Sequence, residues 1–284
     1  MSTGKNAAWV SLDGEIIPRL AQLRRQSGKR SMPVPGDVVF VRVLEDEKTV
    51  VDRVEPRGFT LERRTIEGRS KIMAANVDTL VTVTALADPP PRLVTLDQLL
   101  AFAELEEIGA LVVFTKPDLA AGAVRDELVS LYERLGYQTI VVNPKAGENI
   151  DGLRAAIGGR HALLSGISGV GKSSIFKALG GDASVGEVSR YGLGRQTTTA
   201  ARLYRLADGF LIDSPGVNEF GLGKIEPAEL VRAFPELREP ATRCRFTDCT
   251  HLREPDCGVQ AAVAEGTVPE SRYASYRKIL LEPV

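Results

Sequence analysis

The chain has 284 residues, 43% apolar and 26% charged, with a net charge of −1. This composition fits two or three globular units with cores of their own and excludes a disordered or collagen-like chain. The longest apolar runs, such as LVTVTALA, fall far short of a bilayer span, and the opening MSTGKNAAWVSLDGE lacks the apolar stretch of a signal peptide.

Residues 1–71 carry 14 Lys/Arg against 10 Asp/Glu, and residues 72–223 carry 13 against 17. The basic surplus is sharpest in PRLAQLRRQSGKR, where Arg19, Arg24, Arg25, Lys29 and Arg30 occur without an acid. Such a run is either a solvated face or a nucleic-acid contact. In the same segment, VPGDVVFVRV follows a Pro-Gly-Asp turn with β-branched residues, and KTVVDRVEPRGFTLERR offers two more strands around a Pro-Arg-Gly turn. Residues 1–71 are expected to form a small β-barrel of OB or SH3-like kind.

From NVDTLVTVTAL onward, strands alternate with helices. DQLLAFAELEEIGA has helical spacing and LVVF is a buried strand. Helices near 123–135 and 150–157 lead to YQTIVV and HALLS. This alternation predicts an α/β fold with a mostly parallel, doubly wound sheet over 72–223.

GISGVGKSS, residues 166–174, follows HALLS and opens a helix. It matches a phosphate loop, in which Gly166, Ile167, Ser168, Gly169, Val170 and Gly171 turn backbone N–H groups toward phosphate oxygens. Lys172 supplies the charge for β- and γ-phosphates, Ser173 a hydroxyl for Mg²⁺, and Ser174 continues the helix start. In FLIDSPG, Asp213 ends a strand and is expected to hold Mg²⁺ through water, with Gly216 turning its N–H to a γ-phosphate. The intervening GRQTTTAARL offers a threonine to close over Mg²⁺; Thr198 is assigned, with Thr197 and Thr199 as alternatives.

Thr115, Lys116, Pro117 and Asp118 form TKPD at the carboxyl end of LVVF, where such sheets bind ligands. The Asp118 carboxylate accepts from two guanine donors that adenine lacks. Asn143 begins NPKAGEN, a second loop expected on the O6 side of the base. The base loop thus precedes the phosphate loop, the order of a circularly permuted GTPase. Val217 stands where many GTPases carry a water-orienting glutamine. Gln196 is the candidate within the chain; the alternatives are a solvent-exposed Gln196 and an orienter from a bound ion or partner.

Cys244, Cys249, His251 and Cys257, the donor set C-x4-C-x-H-x5-C, account for every cysteine and one of two histidines. Three thiolates and an imidazole make a closed tetrahedral set, so residues 224–284 are expected to be a helical domain with one structural Zn²⁺. An odd cysteine number confined to one segment points to a reducing, cytoplasmic setting.

GISGVGKSS, GRQTTT, DSPGVNEFGL, RCRFTDCTHLREPDCGVQAAV and RYASYRKIL, with AANVD ahead of the middle segment, are similar to the characteristic strings of the ribosome small-subunit biogenesis GTPase family RsgA (YjeQ). The resemblance covers the chain from end to end. It implies an OB-fold, a permuted GTPase domain and a zinc domain in this order. It also implies a cytoplasmic, monomeric GTP hydrolase that binds GTP and GDP, acts without a membrane, and engages the 30S subunit and its 16S rRNA late in maturation. Slow intrinsic hydrolysis stimulated by the subunit is implied as well. Two positions depart from the family pattern: Thr115 replaces the asparagine of N-K-x-D, and Gln196 stands in place of a histidine. Thr115 is expected to brace the phosphate loop more weakly. An RNA-binding module with a structural nucleotide and a P-loop kinase are the competing readings.

Overall fold

The computed structural model describes residues 7–10, 19–23, 33–45, 48–64, 70–180, 202–206, 209–213 and 222–282. Four strands, β1 (Ala7–Val10), β2 (Arg19–Leu23), β3 (Val39–Val43) and β4 (Thr49–Val54), form a sheet of order β1-β2-β4-β3. Its pairs are antiparallel except β2 with β4. Among the described residues the core beneath it is small: Val10, Ala21 and Val51, with Val39 and Val41 against them. The Pro-Gly-Asp turn is fixed by Asp37, whose carboxylate accepts from Val34 N–H at 2.8 Å and from Arg57 at 2.6 and 2.7 Å.

A hairpin of β5 (Thr60–Arg64) and β6 (Ser70–Ala75) is hydrogen-bonded separately. The expected first boundary, after residue 71, falls inside β6. By packing the hairpin faces the middle of the molecule, since Leu61 and Ala74 share a core with Leu80, Leu99, Phe102, Leu163 and Ile212. The AANVD string is the joint. Asn76 takes φ 54°, donates from Nδ2 to the Gly36 carbonyl and accepts from Gly58 N–H, both at 3.0 Å.

The central sheet contains β7 (Thr79–Ala85), β8 (Gly109–Thr115), β9 (Gln138–Val142), β10 (His161–Ser165), β11 (Arg202–Leu206) and β12 (Gly209–Asp213). Its order is β11-β12-β10-β7-β8-β9, and only β11 runs antiparallel to its neighbour. Helix α3 (Ile150–Ile157) and α4 (Lys172–Ala178) contribute to one core with residues of β7, β8 and β10. Helices α1 (Leu93–Leu105) and α2 (Gly122–Arg134) share a second apolar cluster with β8, and α1 also contributes to the core around Leu61 and Leu80. Covered on both faces, β7 is buried at every residue, its three threonines Thr79, Thr82 and Thr84 included. Started at β10, the same spatial arrangement would be read β10, β11, β12, β7, β8, β9, with the glycine loop first. The chain is that sheet with its termini moved.

The remaining helices are α5 (Pro227–Arg232), α6 (Pro235–Ala241), α7 (Gly258–Ala264) and α8 (Glu270–Leu281). Proline at the first helical position opens α5 and α6, where its missing N–H costs no hydrogen bond. Phe234, Leu237, Val259, Tyr276 and Ile279 lie in a core that also takes Ala101 from α1, so this unit is docked on the central one. Among the described residues no helix is long and apolar enough to cross a membrane.

Candidate nucleotide and metal sites

The glycine loop connects β10 to α4 at the carboxyl edge of the sheet. Gly166 is buried, with φ 145°, and a Cβ there would lie 2.2 Å from the Val83 carbonyl oxygen. Only glycine lets the loop leave β10 against β7. Val170 is buried and pins the loop to the core, whereas Ser168 and Gly169 are exposed. Ile167 is half-buried, and Gly171 takes φ 101° as the residue before α4. Ser173 and Ser174 occupy the first turn of α4, Ser173 exposed. Lys172 folds back over the loop, its Nζ donating to the carbonyls of Gly166 at 2.6 Å and Ile167 at 2.8 Å. Burial lowers its pKa, and the charge of Asp213 acts in the opposite sense. Asp213 ends β12, in register with Leu164 of β10, so lysine and aspartate flank one loop.

The base loop meets the phosphate loop from the other side. Thr115 is buried at the end of β8, and its hydroxyl lies 2.5 Å from the Val170 carbonyl and 3.4 Å from that of Thr84. The hydroxyl has one proton, which the shorter contact takes. The side chain also lies 3.7 Å from where a Cβ on Gly171 would be. A threonine therefore reaches the phosphate loop despite being shorter than asparagine, because the two loops approach closely at Gly171.

Lys116 takes φ 57° and donates to the Asp88 carbonyl. Pro117 to Leu119 form a single 3-10 turn that presents Asp118. The Asp118 carboxylate accepts from Nδ2 of Asn143 at 3.1 Å, and Asn143 is buried just past β9. These two contacts escape a motif reading. Asp88 lies in ADPPPR, whose clustered prolines after a buried strand mark a loop at the same sheet edge. Nothing in NPKAGEN signals that its asparagine side chain would turn to a carboxylate 25 residues away. Gln196, Thr197, Thr198, Thr199, Gly216 and Val217 lie outside the described residues, as do Arg24, Arg25, Lys29 and Arg30.

Cys244, Cys249, His251 and Cys257 place one donor atom each within 4.8 Å of one another. The Cys244 and Cys257 sulfurs are 3.9 Å apart, and Nδ1 of His251 is 3.4 Å from each. Tetrahedral zinc with bonds near 2.3 Å to sulfur sets donor separations of roughly 3.5–3.8 Å, so the set fits the ion. Burial pushes the Cys249 thiol up to about 12, so a cation at the centre is what would hold it as thiolate. The loop is preshaped by Glu254, whose carboxylate accepts from the N–H groups of Thr250, Leu252 and Arg253. Tyr273 and Tyr276 donate to the carbonyls of His251 and Thr250 at 2.6 and 3.0 Å, fastening the loop to α8.

A parallel sheet with this glycine loop at its centre, an aspartate-bearing strand on one side and a guanine-type loop on the other defines a circularly permuted P-loop GTPase. The model of the RsgA GTPase family matches residues 54–223. The chain belongs to that family and is a GTP hydrolase. It is 41% identical over 287 residues to small ribosomal subunit biogenesis GTPase RsgA 1 of Vibrio vulnificus, covering 98% of this chain and 80% of the relative. The RsgA of Sodalis glossinidius is 39% identical over 259 residues, covering 87% and 75%. Among solved structures, YjeQ from Thermotoga maritima superposes with a TM-score of 0.74 at 30% identity, covering 99% of this chain and 95% of that one. YloQ, described as a circularly permuted GTPase, shares the fold with a TM-score of 0.70 at 24% identity, over 99% and 92%.

Proposed function

We propose that the chain is a GTP-driven maturation factor of the small ribosomal subunit, its hydrolysis stimulated by the 30S particle and coupled to release from it. The observation that carries the nucleotide half is the joining of base loop and phosphate loop through Thr115 and Val170, with Asp118 held by Asn143. The ribosomal half is supported by the names of relatives that align over most of the chain. It would act in the cytoplasm as a monomer, with 16S rRNA as the surface it engages.

In this reading the N–H groups of residues 166–171 and the Lys172 ammonium hold the β- and γ-phosphates. Nucleotide binding would draw Lys172 away from the Gly166 and Ile167 carbonyls it now contacts. Asp118 accepts from the guanine N1 and N2 protons, and Lys116 lies along the base. Ser173, Thr198 and, through water, Asp213 would hold Mg²⁺, which when bound neutralises charge between the β- and γ-phosphates. Gly216 would donate its N–H to the γ-phosphate. With valine at 217, orientation of the attacking water falls to Gln196, a bound ion or the ribosomal partner, so turnover without the subunit is slow. The Cys₃His set would hold one Zn²⁺ as a structural ion, since no ligand position is left open. Phosphate release from GTP, followed with and without purified 30S subunits, tests this. Stimulated release is expected; release that the subunit leaves unchanged overturns the ribosomal half.

A further inference from the structure

Arg272 of α8 is fully buried, an exceptional place for a guanidinium. Its Nη1 donates to Oδ1 of Asp97 at 2.6 Å, and its Nε to Oε1 of Glu236 at 2.6 Å. The guanidinium carbon stands 4.4 Å from the centre of the Phe234 ring. Glu236 and Phe234 belong to the C-terminal unit, but Asp97 belongs to α1 of the GTPase. The same Asp97 oxygen accepts from the hydroxyl of Tyr132, in α2, at 2.8 Å. One buried carboxylate thus joins three helices from two units.

What α1 and α2 are attached to gives this junction its meaning. Helix α2 begins three residues after the turn that presents Asp118. Helix α1 begins just after the Asp88–Pro91 loop, in which Asp88 accepts from Lys116 and Pro89 lies 3.7 Å from where a Cβ on Gly169 would be. Both helices therefore hang from loops of the nucleotide site. The other side of the clamp is equally connected, because Tyr273 and Tyr276 of α8 hold the carbonyls of His251 and Thr250 in the cysteine loop. At the edge of the cluster the buried Tyr137 hydroxyl has no hydrogen-bond partner among the described residues, and the Tyr137 ring centre lies 6.0 Å from the guanidinium carbon. A polar cluster with such spare capacity can rearrange without losing a bond.

We propose that Asp97 and Arg272 are positioning residues that couple the guanine-nucleotide site to the cysteine-bearing module, so that occupancy of one stiffens the other. The coupling rests on the nucleotide site described above and not on the ribosomal reading. It is reciprocal: a ligand seated on the C-terminal unit changes nucleotide affinity by the factor by which nucleotide changes that ligand's.

Hydrogen exchange of the full chain, with and without GDP, tests it. In the wild type, amides of residues 166–178 and of α8 should both slow on adding GDP, by roughly fivefold or more. Tyr132→Phe removes one hydrogen bond and leaves the Arg272 ion pairs intact. In this variant residues 166–178 should respond as before, while the response of α8 shrinks. Asp97→Asn should lose it entirely. A role confined to holding the fold would slow or speed α8 equally with and without GDP. An α8 that ignores GDP in the wild type, or responds equally in Tyr132→Phe, overturns the coupling. A wild type in which residues 166–178 ignore GDP overturns the nucleotide site and the coupling together.

Discussion

The nucleotide site and the cysteine cluster are built on opposite principles. The first draws on residues from Asp88 to Asp213, brought together because β10, β12, β8 and β9 end at one edge of a sheet. Its loops are tied by long-range hydrogen bonds, Thr115 to Val170 and Asn143 to Asp118. The second takes all its donors from residues 244–257 and is shaped mainly within that loop, with Tyr273 and Tyr276 of α8 tying it to the helical unit. His251 and Asp256 take φ 61° and 55°, and a single carboxylate, Glu254, gathers the N–H groups of Thr250, Leu252 and Arg253. A site made from sheet topology is indifferent to where the chain is cut, so it survives permutation. A site made from adjacent residues is indifferent to the sheet, and its donor set is one that a central ion would complete.

The sharpest way to break the comparison is at Lys172. Lys172→Ala removes the ammonium proposed to serve the phosphates, and phosphate release should fall by at least about 100-fold. Measured zinc content should stay the same, because no residue of the cysteine loop touches Lys172. Wild-type turnover would remove the lysine from its assigned role.

A smaller effect is expected at the other site. Cys249→Ser should lower the zinc content from one ion per chain and lower the thermal midpoint of the C-terminal unit. Loss of a buried ligand of this kind is in the class of the largest single-residue effects, above about 4 kcal/mol when the unit has no other core. Here the apolar core around Phe234 and Tyr276 would retain part of the structure, so a loosened rather than unfolded unit is expected. GDP should still protect residues 166–178. A metal-free protein that melts like the wild type would refute the assignment.

The smallest effect belongs to Thr115. Thr115→Val keeps the volume and deletes the hydroxyl, leaving the Val170 carbonyl without its donor. GDP affinity should weaken by about 1–1.5 kcal/mol, roughly tenfold, and titration with a fluorescent GDP would read it. Thr115→Asn should restore the bond. Equal affinity in all three would mean that the brace seen between the loops contributes nothing to binding.

Much of this was legible before the fold was known. GISGVGKSS announces its strand, turn and helix because the phosphate cradle demands glycines at fixed places, and Gly166 against Val83 is the physical form of that demand. The helix expected near 123–135 is α2, Gly122–Arg134, since its apolar spacing had only one face to bury. The cysteine spacing alone was enough to name the four donors that converge. What stayed hidden depends on contacts between distant segments. The pattern of β5 and β6 shows a hairpin but not whose core it joins, because Leu61 would be equally apolar in either unit. Arg272, in a run of tyrosines, serines and charges, reads as a surface residue. Only the meeting of α1, α6 and α8 buries it. The partner of the Thr115 hydroxyl, the Val170 carbonyl, stays hidden as well, because the loop separation at Gly171 is not written in either loop.

The hairpin has one more effect, on how the molecule comes apart. Leu61 and Ala74 are wholly buried among Leu80, Leu99, Leu163 and Ile212, so the central sheet cannot melt without exposing the hairpin, nor the hairpin leave without opening the sheet. Among the described residues, the four-stranded sheet of β1 to β4 has a small core of its own. In denaturant, then, the chain should not lose an N-terminal unit as a whole. The outer sheet should fray at low concentration, while the hairpin is lost in the same cooperative step as the nucleotide-binding sheet.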